Sequence, residues 1–219
     1  MWNKILILAI SRKPPYRCVA GVEVLPDGNY GDWIRPVDSN FDDAIRQRTL
    51  AEDQNRNPIK KLGIYNIEFT AQVPWKYQIE NKEITGSMWT HTGNVHKRQL
   101  EDISTIDALP WINGYSSHNG TNDQVPEEYF NQTSASLFLI FNQNLEIMVL
   151  NEYNKKSVRG IFSHAGIDYK LKITCPEFED LFKQEGTFPI GPAFLTLSLG
   201  EPYKGNAYKL IAGVFPLAE

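Results

Sequence analysis

Apolar and polar positions along this chain alternate with the period of strands rather than helices. Ile5–Ile10 is apolar on both faces, the pattern of a central strand. Arg17–Leu25 sets Val22 and Val24 against Glu23. Between these runs lies the polar stretch Ser11-Arg12-Lys13-Pro14-Pro15, whose prolines cannot join a ladder and mark a loop. After a turn at Pro26-Asp27-Gly28-Asn29, a third short segment carries Trp33, Ile34 and Arg35. The pattern changes over Asp38–Asn57, where sparse apolar positions predict a short surface helix capped by Ser39, with Asp42 and Asp43 in its first turn. Leu62–Val73 alternates through Ile64, Ile67 and Phe69. His96–Asp107, with Leu100, Ile103 and Ile106 three residues apart, predicts a helix.

The second half is denser in strands. Ser136–Phe141 and Leu145–Leu150 read as a hairpin turning at Asn142-Gln143-Asn144. Val158–Ser163 and Asp168–Ile173 read as another, turning across His164-Ala165-Gly166. Thr174 then reads as a helix cap, with Glu177 completing a capping box, Pro176 in the first turn, and Phe178, Leu181 and Phe182 as the apolar stripe. Phe194–Leu199 and Tyr208–Phe215 close the series. Strands, a short helix and closing strands recur in each half. That order predicts a mainly β (α+β) fold of two small antiparallel barrels with a few short helices. The expected division is a first barrel with a helical insert over 1–110, a Gly-, Ser- and Asn-rich linker or loop over 111–134, and a second barrel over 135–219.

Composition narrows the function classes. A chain of 219 residues with 42% hydrophobic positions can bury a real core. Its net charge of −4 argues against non-specific duplex binding, which rests on Lys and Arg neutralising phosphates. Residues 1–110 hold 14 Lys+Arg and 14 Asp+Glu, and residues 111–219 hold 8 and 12, so the first half is where a polyanion, if one binds, is expected. Cys18 and Cys175 are too few for a disulfide framework or a zinc site, and both flank apolar runs, which predicts unbridged, buried thiols. No window approaches the roughly 20 apolar residues of a membrane helix. Neither that nor the N-terminal run suggests a leader, so a cytoplasmic location is expected.

Candidate chemistry centres on Ser11, Arg12, Lys13 and Arg35, with Arg17 beside them, as a phosphate-contacting patch at a strand end. Arg12, Lys13 and Arg35 are expected on one exposed face near Trp33, Trp75 or Trp89, aromatic rings on which bases can stack. The alternative is that Arg35 pairs with an acid and the tryptophans fill the core. Lys209 is expected either in a cleft between the barrels or in solvent. His91 and His96 match no metal-binding spacing, and no phosphate-cradling Gly-rich loop occurs. No catalytic set, metal or cofactor is expected.

Ser11-Arg12, Cys18, Ala20-Gly21, Trp33-Ile34-Arg35-Pro36 and Gln78-Ile79-Glu80-Asn81 resemble stretches of the dual OB-containing domain family. So do Arg159, Phe162, Gly166, Tyr169, Thr174, Pro176, Leu197-Ser198-Leu199-Gly200, Pro202-Tyr203, Tyr208-Lys209-Leu210 and Ala212. The resemblance covers nearly the whole chain. It departs at Cys175, where the Thr-x-Pro motif is expected to hold an acid. It implies two OB-like barrels and a nucleic-acid role. The leading expectation is a non-enzymatic module that binds single-stranded nucleic acid or a nucleotide-like ligand through a basic, aromatic-flanked groove. An enzyme acting on a small nucleotide-derived or phosphorylated ligand between the barrels, and a protein-interaction module, are the alternatives.

Overall fold

The computed structural model describes residues 1–45, 57–104, 107, 109, 111–152 and 155–217. The chain divides into two compact units, Met1–Asp102 and Ile103–Glu219.

The first unit is built from β1 (Trp2–Lys13), β2 (Tyr16–Val24), β3 (Tyr30–Val37), β4 (Gly63–Gln72), β5 (Asn81–Ile84) and β6 (Thr90–Asn94). β1 pairs antiparallel with both β2 and β4, β2 with β3, and β4 with β5, while β3 runs parallel to β5. These five pairings close a barrel, and β6 adds to the outer side of β4. The expectation of a central first strand is met, because Ile5, Leu6, Ile7 and Leu8 are all fully buried. The barrel interior holds Ile5, Ile7, Val19, Ile34, Ile67, Phe69 and Trp89.

The second unit contains β7 (Gln124–Pro126), β8 (Leu137–Glu152), β9 (Lys155–His164), β10 (Ile167–Ile173), the one-turn helix α1 (Pro176–Glu179), β11 (Gly186–Leu199) and β12 (Asn206–Pro216). Its circuit is β10-β9-β8-β11-β12, closed by a parallel β10–β12 pairing, with β7 on the far side of β12. Strand for strand this matches the first barrel. Strands one and four pair antiparallel, strands three and five run parallel, and the helical segment lies between strands three and four. That is the connectivity of an OB barrel.

Several local expectations are revised. Phe141 and Leu145 are not the two sides of a turn: β8 runs unbroken through Asn142–Asn144. β11 pairs along its whole length and absorbs the irregularity in bulges around Gly191. Cys175, not Thr174, occupies the N-cap of α1 and makes no side-chain capping bond. The Thr174 hydroxyl instead donates to the Ile211 carbonyl oxygen at 3.4 Å. The acid absent at position 175 therefore stands where a helix N-terminus would favour it. Leu181 is 69% exposed and lies outside the helix, so the stripe reduces to Phe178 and half-buried Phe182. Lys156 Nζ closes the helix end, donating to the carbonyl oxygens of Glu179 at 2.8 Å and Phe182 at 2.9 Å.

In the first unit Ser39 opens a 3-10 turn, Ser39–Phe41, but Asp38 is its cap and accepts from the Asn40 N–H. Asp42 and Asp43 both leave the helical region, at φ 56° and 53°. The rest of that expected helix, from residue 46 to 56, lies outside the described residues. Of the helix expected over 96–107 the structure forms a 3-10 helix, Lys97–Asp102, with Leu100 buried, while residues 105 and 106 lie outside the described residues. Residues 111–134 do not behave as a linker. Trp111, Val125 and Phe130 are buried, the Trp111 indole donates to the Ala135 carbonyl oxygen at 2.9 Å, and β7 pairs with β12. Neither cysteine is in a disulfide; Cys175 is buried but Cys18 is half-buried.

Candidate functional site

The basic patch read from the first barrel does not assemble as one exposed face. Arg12 and Lys13 lie at the tip of the β1–β2 hairpin, where Ser11 is opposite Cys18, Arg12 opposite Arg17 and Lys13 opposite Tyr16. Arg12 is exposed. Lys13 is committed to the turn beyond β3: its Nζ donates to the Asp42 carbonyl oxygen and pairs with the Asp42 carboxylate at 3.5 Å. The hairpin and that turn are tied further by Arg17 and Ile45, whose backbones exchange hydrogen bonds of 3.1 and 2.8 Å. Tyr16 meets Phe41 edge-on at 5.7 Å.

Arg35 is only 7% exposed. It lies on β3 opposite Asn81 of β5, and its backbone N–H donates to the Glu80 carbonyl oxygen at 2.8 Å. Gln78, Glu80 and Asn81 are buried beside it. The residues behind the Trp-Ile-Arg-Pro and Gln-Ile-Glu-Asn resemblance therefore close the first barrel. Trp89 has no exposed surface and belongs to the barrel core. It cannot be a stacking platform. Trp33 is half-buried on β3, and Trp75 is exposed with Lys76 Nζ 5.0 Å from its ring centre.

Lys209 is also buried, so the expectation that it points to solvent fails. Its Nζ donates to the Ile112 carbonyl oxygen at 2.7 Å and to Asn113 Oδ1 at 2.8 Å, and lies 5.4 Å from the centre of the Tyr169 ring. Burial pulls its pKa down to about 8, against the attraction of Asp123. Asp123 is itself buried. It pairs with Arg159 at 3.6 Å, and its two carboxylate oxygens accept the Ser117 N–H at 2.7 Å and the Ser117 hydroxyl at 2.6 Å. This cluster fastens the 112–123 segment to the second barrel. The Lys209, Arg159 and Tyr169 positions of the resemblance are thus structural clamps.

An open groove lies elsewhere, along β8, β9 and β10. β8 pairs with β9 only from Glu146 onward, opposite Ile161. Before that point β8 follows β11, while the end of β9, through His164, follows β10. The two strands splay, and the buried Asn142 side chain spans the gap by donating from Nδ2 to the Ser163 carbonyl oxygen at 2.7 Å. The splay leaves a groove of about 760 Å³. Met148 and Ile161 line it along the paired part of β8 and β9, and Phe141, Gln143 and Asn144 line the stretch of β8 beyond. Phe141 is 41% exposed, with its ring braced against buried Phe194 at 5.2 Å. Phe162 and Tyr169 stack at 5.3 Å and 20° in the same lining. The remaining polar lining includes Glu146, Ser163, His164, Asp168 and Lys170.

Two features of this groove are electrostatic. Ser163 donates its hydroxyl to Asp168 Oδ1 across the β9–β10 hairpin. His164 Nε2 is buried with no hydrogen-bond partner among the described residues. Burial lowers the His164 pKa, with Asp107 acting in the opposite direction. Sequence reading missed the groove because Asn142–Asn144 looked like a turn. The available signal was Phe141 followed by three amide side chains, an aromatic ring beside hydrogen-bonding groups with no apolar residue to bury them.

Comparison with protein families finds one matching description, "Dual OB-containing domain", over residues 3–214. Comparison with curated proteins finds no match. Among solved structures, one similar chain is described as "Crystal structure of the tetrameric p202 HIN2"; it is 8% identical, with 96% of this chain and 94% of that chain covered at a TM-score of 0.29.

Proposed function

This chain belongs to the dual OB-containing domain family, and on that premise we propose that it is a binding module for single-stranded nucleic acid, with its contact surface on the β8–β9–β10 face of the second barrel. The observation that supports this reading most is the groove with Phe141 exposed in its lining. OB barrels take oligonucleotides on the face of their second and third strands, here β9 and β10. A ring already braced on one side by Phe194 offers a surface for a base at little ordering cost. The net charge of −4 fits a mode that depends on stacking more than on neutralising many phosphates.

The test is a fluorescence-anisotropy titration with an oligonucleotide of about 8 nucleotides, within the site size of one OB barrel. Loss of a stacked base is worth about 1–3 kcal/mol, so Phe141→Ala should weaken binding about five- to 150-fold. A duplex of the same sequence should bind more weakly than the single strand. Equal affinity of Phe141→Ala and the unaltered protein would remove the groove as the site.

A further inference from the structure

Resting on that reading, we infer that the second-barrel groove holds the nucleoside part of its ligand, base and sugar, and leaves the phosphate outside. The charged lining is two carboxylates, Glu146 and Asp168, against one ammonium, Lys170. A phosphate placed among them meets net repulsion, felt at short range because both carboxylates are exposed to solvent and its ions. The uncharged polar lining is two-sided. Gln143 and Asn144 each offer an amide oxygen and an amide NH2, whereas a carboxylate accepts only, so the excess of acceptors comes from Glu146 and Asp168.

Donors are what the nucleoside supplies. Exocyclic amino groups of adenine and cytosine, and ribose hydroxyls, donate to carboxylates and amide oxygens. Asp168 already accepts the Ser163 hydroxyl on Oδ1, which fixes its carboxylate at the mouth of the β9–β10 hairpin, and a carboxylate has capacity for further donors. The apolar lining, Met148 and Ile161 with Phe141 beside them, suits a flat base and offers nothing to a phosphate. His164 Nε2, with no hydrogen-bond partner among the described residues, adds a polar atom at the same hairpin.

Isothermal titration of adenosine, cytidine and their 5′-monophosphates at low salt and neutral pH tests this. Each nucleoside should bind at least as tightly as its monophosphate. In a Glu146→Gln/Asp168→Asn double variant, both at exposed positions, nucleoside binding should weaken while monophosphate binding strengthens, moving their ratio on the order of tenfold. Tighter binding of the monophosphates to the unaltered protein, an unchanged ratio in the variant, or no nucleoside binding at millimolar concentration would overturn the inference. If the oligonucleotide still binds through Phe141 in any of those cases, the proposed function stands and only the nucleoside assignment falls. If Phe141→Ala also leaves oligonucleotide affinity unchanged, both fall.

Discussion

The Lys209 amine lies 5.4 Å from the centre of the Tyr169 ring, fully inside the protein, and donates to the carbonyl oxygen of Ile112 and to Asn113 Oδ1. A buried ammonium is costly even with partners, and here burial has drawn its pKa from 10.5 to about 8. Below pH 8 the folded and unfolded chains both carry the charge, and folding bears the whole cost of burying it. Between about 8 and 10.5 the unfolded chain keeps the proton that the folded chain releases, so stability rises with pH. The full gap is worth on the order of 3 kcal/mol. Tyr169, whose pKa burial raises, counteracts this only as pH passes 10. Urea midpoints should therefore climb from pH 7.5 to 9.5, and Lys209→Met should flatten the climb. A climb that persists in Lys209→Met would assign it to another group.

Two glycines distinguish backbone crowding from side-chain crowding. A Cβ at Gly21 would overlap the Leu6 carbonyl oxygen, with Leu6 C at 2.8 Å and Ile5 Cγ2 at 2.9 Å, in the β1–β2 ladder where nothing can swing aside. At Gly160 the crowding atom is Ile211 Cδ1, the end of a side chain that can change rotamer, with Leu145 Cδ1 at 3.3 Å. Overpacking costs typically 1–3 kcal/mol and more when backbone must move. Gly21→Ala should therefore cost more stability than Gly160→Ala, and should exceed about 3 kcal/mol or prevent soluble expression. Chemical denaturation of both variants is the measurement, and equal costs would contradict the argument.

Trp89 and Lys13 bear on the first barrel in different ways. Trp89→Ala removes a fully buried ring and should cost about 3–5 kcal/mol. Lys13→Met removes an ion pair whose Asp42 partner is 88% exposed and should cost under about 1 kcal/mol. Thermal unfolding separates the two. A stable Trp89→Ala protein that had lost oligonucleotide binding would restore Trp89 as a ligand residue.

The fold was legible because barrel strands carry their burial in their residues. Ile5–Leu8 is apolar throughout and is buried on both faces. Ile167 and His164 frame a two-residue turn, Ala165-Gly166, as the hairpin pattern required. The continuous β8 was not legible, because polar Asn142, Gln143 and Asn144 look like a turn unless the strand that pairs with them is known. The site failed for a related reason. A basic or aromatic residue type does not declare whether it faces water. Arg35, Trp89 and Lys209 carry chemistry suited to a nucleic acid, yet Arg35 lies at the barrel closure, Trp89 in the core, and Lys209 under the 112–123 segment. The groove arises where β8 leaves β9, between residues such as Asn142 and Ser163 that are 21 apart in the chain, and where a hairpin's strands part is not written in the alternation of either strand.

The most direct measurement is residue-resolved. Backbone amide resonances, followed while a short single-stranded oligonucleotide is titrated in, locate the contact surface without any substitution. The account predicts the largest changes at residues 141–148 and 161–170, around Phe141, Glu146, Ser163 and Asp168, with changes at Arg12 and Trp75 small for a strand that spans one barrel. Large changes confined to residues 11–17 and 33–35, with the β8–β9–β10 face silent, would contradict it and return the site to the first barrel.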